Sequence, residues 1–346
     1  MSFLAKFFKG VLHKTDPVDD TVKVKGNPKP KYYGTVTPYP NFNATQDAAT
    51  LQSAIKSKGV DEDVIIAILV KRSNEQRQKI KVVYEASSGK KLDTDLKSVL
   101  RSHLEDVCVA LLMDPTHYDA HLLRTATKDL GTDEDVLVEI LATRSNQEIR
   151  EIKRVFNEVY KTELEKVIQD ETKGDFTSAL LAMLKANKDE SKEVDANLAQ
   201  KDAQILFEAG EKTKGINVSA FIDILTKRSG PQLSKTFQQY ASVSDVTLPK
   251  ALEMELRGDI EKCLIDIVKC SWNTPAFFAE KLHLAMKGLG THDHTLIRVL
   301  VSRSEVDLKK IVEEYKAMFG VCLQDDIRKD TRGHYQAILL GLCGAP

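Results

Sequence analysis

Three carboxylates recur at one spacing. Glu171, Glu255 and Asp330 each fall 40 residues after a glycine, namely Gly131, Gly215 and Gly290, that sits in a short polar segment. A fourth segment of the same kind carries Gly59, but 40 residues further on stands Val99. A glycine-bearing turn between helices exposes backbone carbonyls that the helix itself cannot satisfy. Carbonyl oxygens joined by one distant carboxylate make a hard oxygen site. Such a site suits Ca²⁺, which takes about six to eight oxygens in flexible geometry, better than Mg²⁺, which demands a tight octahedron. Zinc would call for His or Cys, and neither recurs in register. His292 and His294 read as exposed loop residues rather than a chelate.

The elements that must hold these groups repeat as well. KGVDED at 58–63, LGTDED at 130–135, KGINVS at 214–219 and LGTHDH at 289–294 share one register. Thirteen residues after each anchor glycine comes an arginine (Arg72, Arg144, Arg228, Arg303) followed by a serine (Ser73, Ser145, Ser229, Ser304), and twelve residues beyond the arginine an aromatic (Tyr84, Phe156, Tyr240, Tyr315). Four matched copies are an internal repeat. Offsets of six, nine and ten from the glycine hold Ile65, Ile68 and Leu69 in the first copy and apolar residues in each of the others, which places them on one helix face. Asp61, Asp133 and Asn217 stand where an N-cap for that helix belongs; His292, in the fourth copy, does not suit the role. The four arginines, at identical offsets inside a helical unit, read as internal hydrogen-bond donors rather than phosphate ligands.

Five of the ten prolines lie within the first 40 residues, and the rest of the chain is proline-poor and rich in Leu, Lys, Glu and Ala. The chain from about residue 44 therefore reads as all-α, with room for some five short helices in each repeat and a partly extended, flexible linker over roughly 15–43. The expected organisation is a tail at 1–42, with an amphipathic helix at 2–12, and repeats at 43–114, 115–186, 187–274 (with a preceding linker) and 275–346. In the tail, Phe3, Leu4, Phe7, Phe8, Val11 and Leu12 fall at helical spacing opposite Lys6 and Lys9. So short an amphipathic helix needs a groove, a membrane or a partner.

Composition narrows the function. With 50 Lys and Arg against 51 Asp and Glu, the net charge of −1 speaks against a nucleic-acid binder. Apolar residues at 42% supply a sizeable core, and no run approaches a membrane-spanning length. Lysines interrupt the apolar residues of the N-terminus, so no secretory signal is expected. Five cysteines without close metal spacing read as mostly buried thiols of a reducing compartment, and whether Cys322 and Cys343 bridge stays open. No G-x-S-x-G, H-E-x-x-H or G-x-x-x-x-G-K-[ST] pattern occurs, so no enzyme is expected.

TKDLGT at 127–132 with DETKGD at 170–175, and MKGLGT at 286–291 with Asp330, resemble the annexin pattern K-G-x-G-T followed about 40 residues later by Asp or Glu. The resemblance extends over four repeats. It implies a curved disk of four five-helix repeats whose convex-face loops bind several Ca²⁺ ions and dock on acidic phospholipid. Carried over by position, a second-repeat site would use carbonyls of Thr127, Asp129 and Gly131 with Glu171. A third would use Gly210, Thr213 and Gly215 with Glu255, and a fourth Met286, Gly288 and Gly290 with Asp330. Minor sites would use Gly59 and Val60 with Glu62, Lys97 and Leu100 with Glu105, and Thr132 with Glu134. Two departures stand out: Asp129 replaces the first glycine of the motif, and the third loop lacks the Gly-x-Gly pair and the threonine.

The resemblance also implies a tail helix that docks in the third repeat without calcium and is released with it, to bind a small EF-hand dimer or a second membrane. It allows phospholipase A2 inhibition, an anti-inflammatory role, a cytoplasmic location that becomes membrane-peripheral as calcium rises, and an extracellular one by an unconventional route. The alternative reading is a helical-repeat adaptor that works through its tail, with calcium only structural.

Overall fold

The computed structural model describes residues 4, 7, 8, 31–128, 130–211 and 215–344. Phe3, Val11, Leu12, Asp129 and Thr213 lie outside the described residues. The chain is all-α, and no strand occurs among the described residues. The first repeat comprises α1 (Ala44–Lys56), α2 (Glu62–Val70), α3 (Asn74–Ser88), α4 (Leu92–Val99) and α5 (Ser102–Leu112). The second comprises α6 (Pro115–Thr127), α7 (Glu134–Thr143), α8 (Asn146–Tyr160), α9 (Leu164–Glu171) and α10 (Gly174–Leu184). Then come α11 (Ala196–Ala209), α12 (Val218–Lys227), α13 (Gly230–Val243), α14 (Leu248–Glu255) and α15 (Asp259–Met286), followed by α16 (Asp293–Arg303), α17 (Leu308–Phe319), α18 (Leu323–Asp330) and α19 (Gly333–Leu342).

The long α15 is two helices run together. Asn273 is extended (φ −159°, ψ 95°), its side chain accepts from the backbone N–H of Ala276 at 2.9 Å, and Pro275 follows in the first turn. An Asn cap and an early proline start a helix, so the break ends the third repeat and opens the fourth with five helices each.

Two compact units emerge. One holds the second and third repeats (described residues of 116–277, with Leu4), the other the first and fourth (Phe7, Phe8, 31–115 and 278–344). In the former, α10 packs on α12 and α11 lies along α13; in the latter, α19 packs on α2 and α5, and α16 on α5. The apolar triplets at offsets six, nine and ten are buried in every repeat, from Ile65 and Leu69 to Leu296 and Leu300. Each such side chain contributes about 1.5–3 kcal/mol. Tyr84, Phe156, Tyr240 and Tyr315 are at most 1% exposed. Where the aromatic is tyrosine its hydroxyl needs a partner: Tyr84 donates to Asp95 at 2.6 Å, Tyr315 to Asp326 at 2.5 Å and Tyr240 to Glu211 at 3.0 Å. The five cysteines are all thiols, Cys322 and Cys343 included.

The repeated arginine is an internal clamp. Arg72 pairs bidentately with Asp47, Arg144 with Asp119 and Arg228 with Asp202. Each aspartate lies on the first helix of its repeat. In the fourth repeat Phe278 occupies that place, and Arg303 stacks on its ring while pairing with Asp307 on the next turn. Burial opposes the charge of Arg144, but Asp119 outweighs it and holds the guanidinium above the ordinary arginine pKa.

The following serine caps the third helix in three repeats. Ser73 with Gln76 and Ser145 with Glu148 form capping boxes, and Ser229 accepts from the N–H of Gln232. In the fourth, Ser304 stays helical and its carbonyl instead accepts the N–H groups of Thr35 and Val36. Residues 31–43 are thus irregular, with a turn at Pro40–Asn41, but pinned, with Tyr39 further exchanging two hydrogen bonds with the Gln76 side chain.

A buried pair broken on one side leaves an uncompensated charge. Asp119→Ala should therefore lower unfolding free energy by about 3–5 kcal/mol in a urea titration. A loss under about 1 kcal/mol would show that Arg144 is satisfied without it.

Candidate calcium sites

Each repeat's first helix ends in a loop that returns to the core through one hydrogen bond. The N–H two residues after the anchor glycine donates back to the helix: Asp61 to Ala54, Asp133 to Ala126, Asn217 to Ala209 and His292 to Ala285, at 2.8–3.0 Å. The third loop spans one residue more, and its arginine clamp is longer by the same one residue (Asp202 to Gly215). Asp61 and Asp133 then cap the second helix through their carboxylates, accepting from Val64 and Val136. Asn217 occupies the cap position without making that side-chain bond, so of the three expected N-caps two are realised.

Thr127 and Met286 are the last residues of α6 and α15, and Gly210 is the C-cap of α11. Their carbonyls belong to the set a helix end leaves without an intrahelical donor. Gly131 and Gly290 adopt φ of 98° and 82°, in the left-handed region that favours glycine and turns the loop backbone outward. At the tips, Leu130 and Leu289 are fully exposed, next to exposed Lys128 and Lys287.

The carboxylates come from the fourth helix of each repeat. Glu171, Glu255 and Asp330 are the terminal residues of α9, α14 and α18, as Val99 is of α4. A helix C-terminus carries partial negative charge, which disfavours a carboxylate there and favours a cation. Loop and helix end meet directly in two repeats: Thr291 Oγ1 donates to Asp330 Oδ2 at 2.8 Å, and Thr132 Oγ1 to the Glu171 carbonyl at 3.3 Å. The threonine of the motif is thus the link between the two halves. The third loop has no threonine to play this part. There Glu211, which sequence reasoning passed over, accepts from Tyr240 and Ser244, and Glu211 and Glu255 both push the Tyr240 hydroxyl's pKa up, after burial.

The minor positions are placed differently. Glu62 and Glu134 open α2 and α7, and Glu105 lies in the first turn of α5. The Gly59 carbonyl accepts from Ser57 Oγ at 3.1 Å and that of Leu100 from Arg101 at 2.8 Å, whereas Val60 and Lys97 sit at the loop and at the end of α4. Among the described residues no three His, Cys, Asp or Glu side chains gather into a metal cage, so any site here is built mainly from carbonyls.

Another basic position escaped the sequence reading. Two residues past each terminal position stand Arg101, Lys173, Arg257 and Arg332. Arg257 donates to the carbonyls of Glu253, Met254 and Leu256, Arg332 to those of Arg328, Lys329 and Thr331, and Arg101 to those of Ser98 and Leu100. A guanidinium folded over the last turn caps orphan carbonyls and matches the helix dipole.

The annexin family model matches residues 46–111, 118–183, 201–267 and 277–342. The chain belongs to the annexin family. It is 49% identical to annexin A1 of Rattus norvegicus over 99% of both chains. Among solved structures, annexin III matches with a TM-score of 0.89 and 45% identity over 91% of this chain and 98% of that one. A calcium-bound annexin (Sm)1 matches with a TM-score of 0.80 and 31% identity over 91% and 93%. Annexins are known for calcium-dependent phospholipid binding and are generally non-enzymatic. No described helix of this annexin is long and apolar enough to cross a membrane.

Replacing Arg332 with Ala in this annexin should cost about 1 kcal/mol through lost capping of α18, read as a lowered urea midpoint. An unchanged midpoint would assign those carbonyls to water.

Proposed function

We propose that this annexin binds Ca²⁺ at its interhelical loops and, through the ions, acidic phospholipid. The observation that carries this reading is the hydrogen-bonded union of loop and helix end, Thr291 with Asp330 and Thr132 with Glu171. The bond runs to the carboxylate of Asp330 in one repeat and to the backbone carbonyl of Glu171 in the other, which supports a site built from the loop carbonyls and the helix-end carboxylate. The principal ligands are then the carbonyls of Thr127, Asp129 and Gly131 with Glu171; Gly210, Thr213 and Gly215 with Glu255; and Met286, Gly288 and Gly290 with Asp330. The minor sites are those of Glu62, Glu105 and Glu134. Val99 denies the first repeat a principal site.

Such loops leave coordination positions open, and lipid phosphate or carboxylate oxygens complete them. Calcium and lipid must then raise each other's affinity by the same factor. Several weak sites acting together gain roughly 10²–10⁴ over one. Leu130 and Leu289, having no apolar surroundings in the protein, enter the interfacial region, and the neighbouring lysines each add about 1 kcal/mol near an anionic surface.

The tail reads as a calcium-released segment for a second membrane or a small EF-hand dimer. In support, Leu4, Phe7 and Phe8 are helical, and the Phe7 side chain is covered, at only 2% exposed. Masking of substrate by bound protein would account for phospholipase A2 inhibition without a catalytic site. On this reading the protein is cytoplasmic and moves to membranes as calcium rises.

Co-sedimentation with phosphatidylserine vesicles across a calcium titration tests the sites. A Glu171→Gln, Glu255→Gln, Asp330→Asn variant should need at least about tenfold more calcium, since three carboxylates are withdrawn from sites that act together. Binding at unchanged calcium would favour the tail-driven adaptor. Separately, Leu130→Ser with Leu289→Ser should weaken vesicle binding at fixed calcium by about 1–3 kcal/mol per leucine, with folding stability unaltered. Equal binding would keep the loop tips out of the lipid.

A further inference from the structure

The unit formed by the second and third repeats contains a cavity of about 430 Å³ that the calcium reading does not use. It lies at the opposite end of the second helices from the candidate sites, beside the starts of α8 and α13. Lys188 and Cys270 both line it, with Glu190, Ser271 and Thr274. Lys188 also lines an adjoining cavity of about 30 Å³, room for one water.

The lysine is held by its backbone. Its N–H donates to the Asn146 side-chain oxygen at 3.2 Å, and its carbonyl accepts from the same side chain at 2.7 Å. Its ammonium is largely withdrawn from water, which lowers its pKa, while Cys270 and Glu190 act in the opposite direction. The cysteine is 8% exposed and its opening is onto the cavity. A thiol that shares a cavity with a lysine ammonium and feels its charge has the surroundings of a reactive cysteine.

We propose that Cys270 and Lys188 form a two-point capture site for a small α,β-unsaturated aldehyde. In the first step the Cys270 thiolate attacks the β-carbon of the enal. The C–S bond forms, the C=C π pair moves to the α-carbon and carbonyl as an enolate, and the enolate takes a proton from the Lys188 ammonium. Thiolate and ammonium are consumed together, leaving a neutral thioether and a neutral amine. Burial favours that neutral amine, which is now a nucleophile next to the tethered aldehyde. In the second step Nζ adds to the carbonyl carbon and water leaves, giving an imine that links the two side chains. No oxidant or reductant enters, and neither residue belongs to the proposed calcium sites.

The probe is acrolein at stoichiometric dose on the full-length protein without calcium, read by intact mass and by peptide mapping after borohydride reduction. The expected product is one acrolein added with one water lost, linking Cys270 to Lys188. Lys188→Arg should still alkylate Cys270 but stop at the adduct that retains its water. Lys188→Met should slow alkylation at Cys270 at least about tenfold, and Cys270→Ser should abolish the linkage while leaving calcium-dependent vesicle binding unchanged. First modification at exposed Cys322 with Cys270 untouched, or equal rates at Cys270 in the wild type and Lys188→Met, would overturn the proposal.

Discussion

A helix that ends in a glycine turn leaves carbonyl oxygens with no donor, and this constraint governs the molecule. In each repeat the first helix ends this way; the fourth helix ends in a residue that in three repeats is a carboxylate, and in two of them that end is hydrogen-bonded to the loop. Two negative helix ends and a carboxylate form a poor arrangement without a cation. The cost is contained in two repeats by a threonine hydroxyl, which ties Asp330 or the end of α9 to the facing loop. Arginines such as Arg257 and Arg332 cap further carbonyls around the last turn, but not those of Glu255 and Asp330. What those donors leave is an oxygen-rich surface suited to an ion with flexible coordination.

The four repeats keep their frame constant and vary their loops. The frame is an apolar second helix, a buried aromatic and an arginine clamp. When the clamp loses its aspartate, as in the fourth repeat, an aromatic ring and Asp307 take over. When the third loop gains a residue, the spacing from Asp202 to Gly215 lengthens to match, so the hydrogen bond from Asn217 to Ala209 is preserved. Loop variation of this kind changes which oxygens a loop offers without disturbing the packing of the frame.

Much of this is legible in the sequence because it is periodic. The glycine anchors, the apolar triplets and the carboxylates at Glu171, Glu255 and Asp330 stand at fixed offsets, and the helices they imply are present. The clamp partners were visible but unread: Asp47, Asp119 and Asp202 precede their glycines by 12, 12 and 13 residues, and the shift of one hid the pattern. The serines after the arginines formed S-x-x-Q or S-x-x-E boxes in the first two repeats, a signal of local capping. Other features follow from tertiary contacts no local pattern encodes. Ser304 is no cap because it stays helical, its hydroxyl donating to the Val301 carbonyl while its own carbonyl takes Thr35 and Val36, and Glu211 meets Tyr240 where the aspartate of other repeats, Asp95 or Asp326, is Ala251.

The central claim is that calcium completes the loops only together with a lipid oxygen. Calcium binding measured by equilibrium dialysis, with and without phosphatidylserine vesicles, tests it most directly. The expected result is weak binding by protein alone and an affinity that rises on adding vesicles by the same factor by which calcium raises vesicle affinity. Calcium affinity that is identical with and without lipid would contradict it, since the loops would then be complete sites on their own.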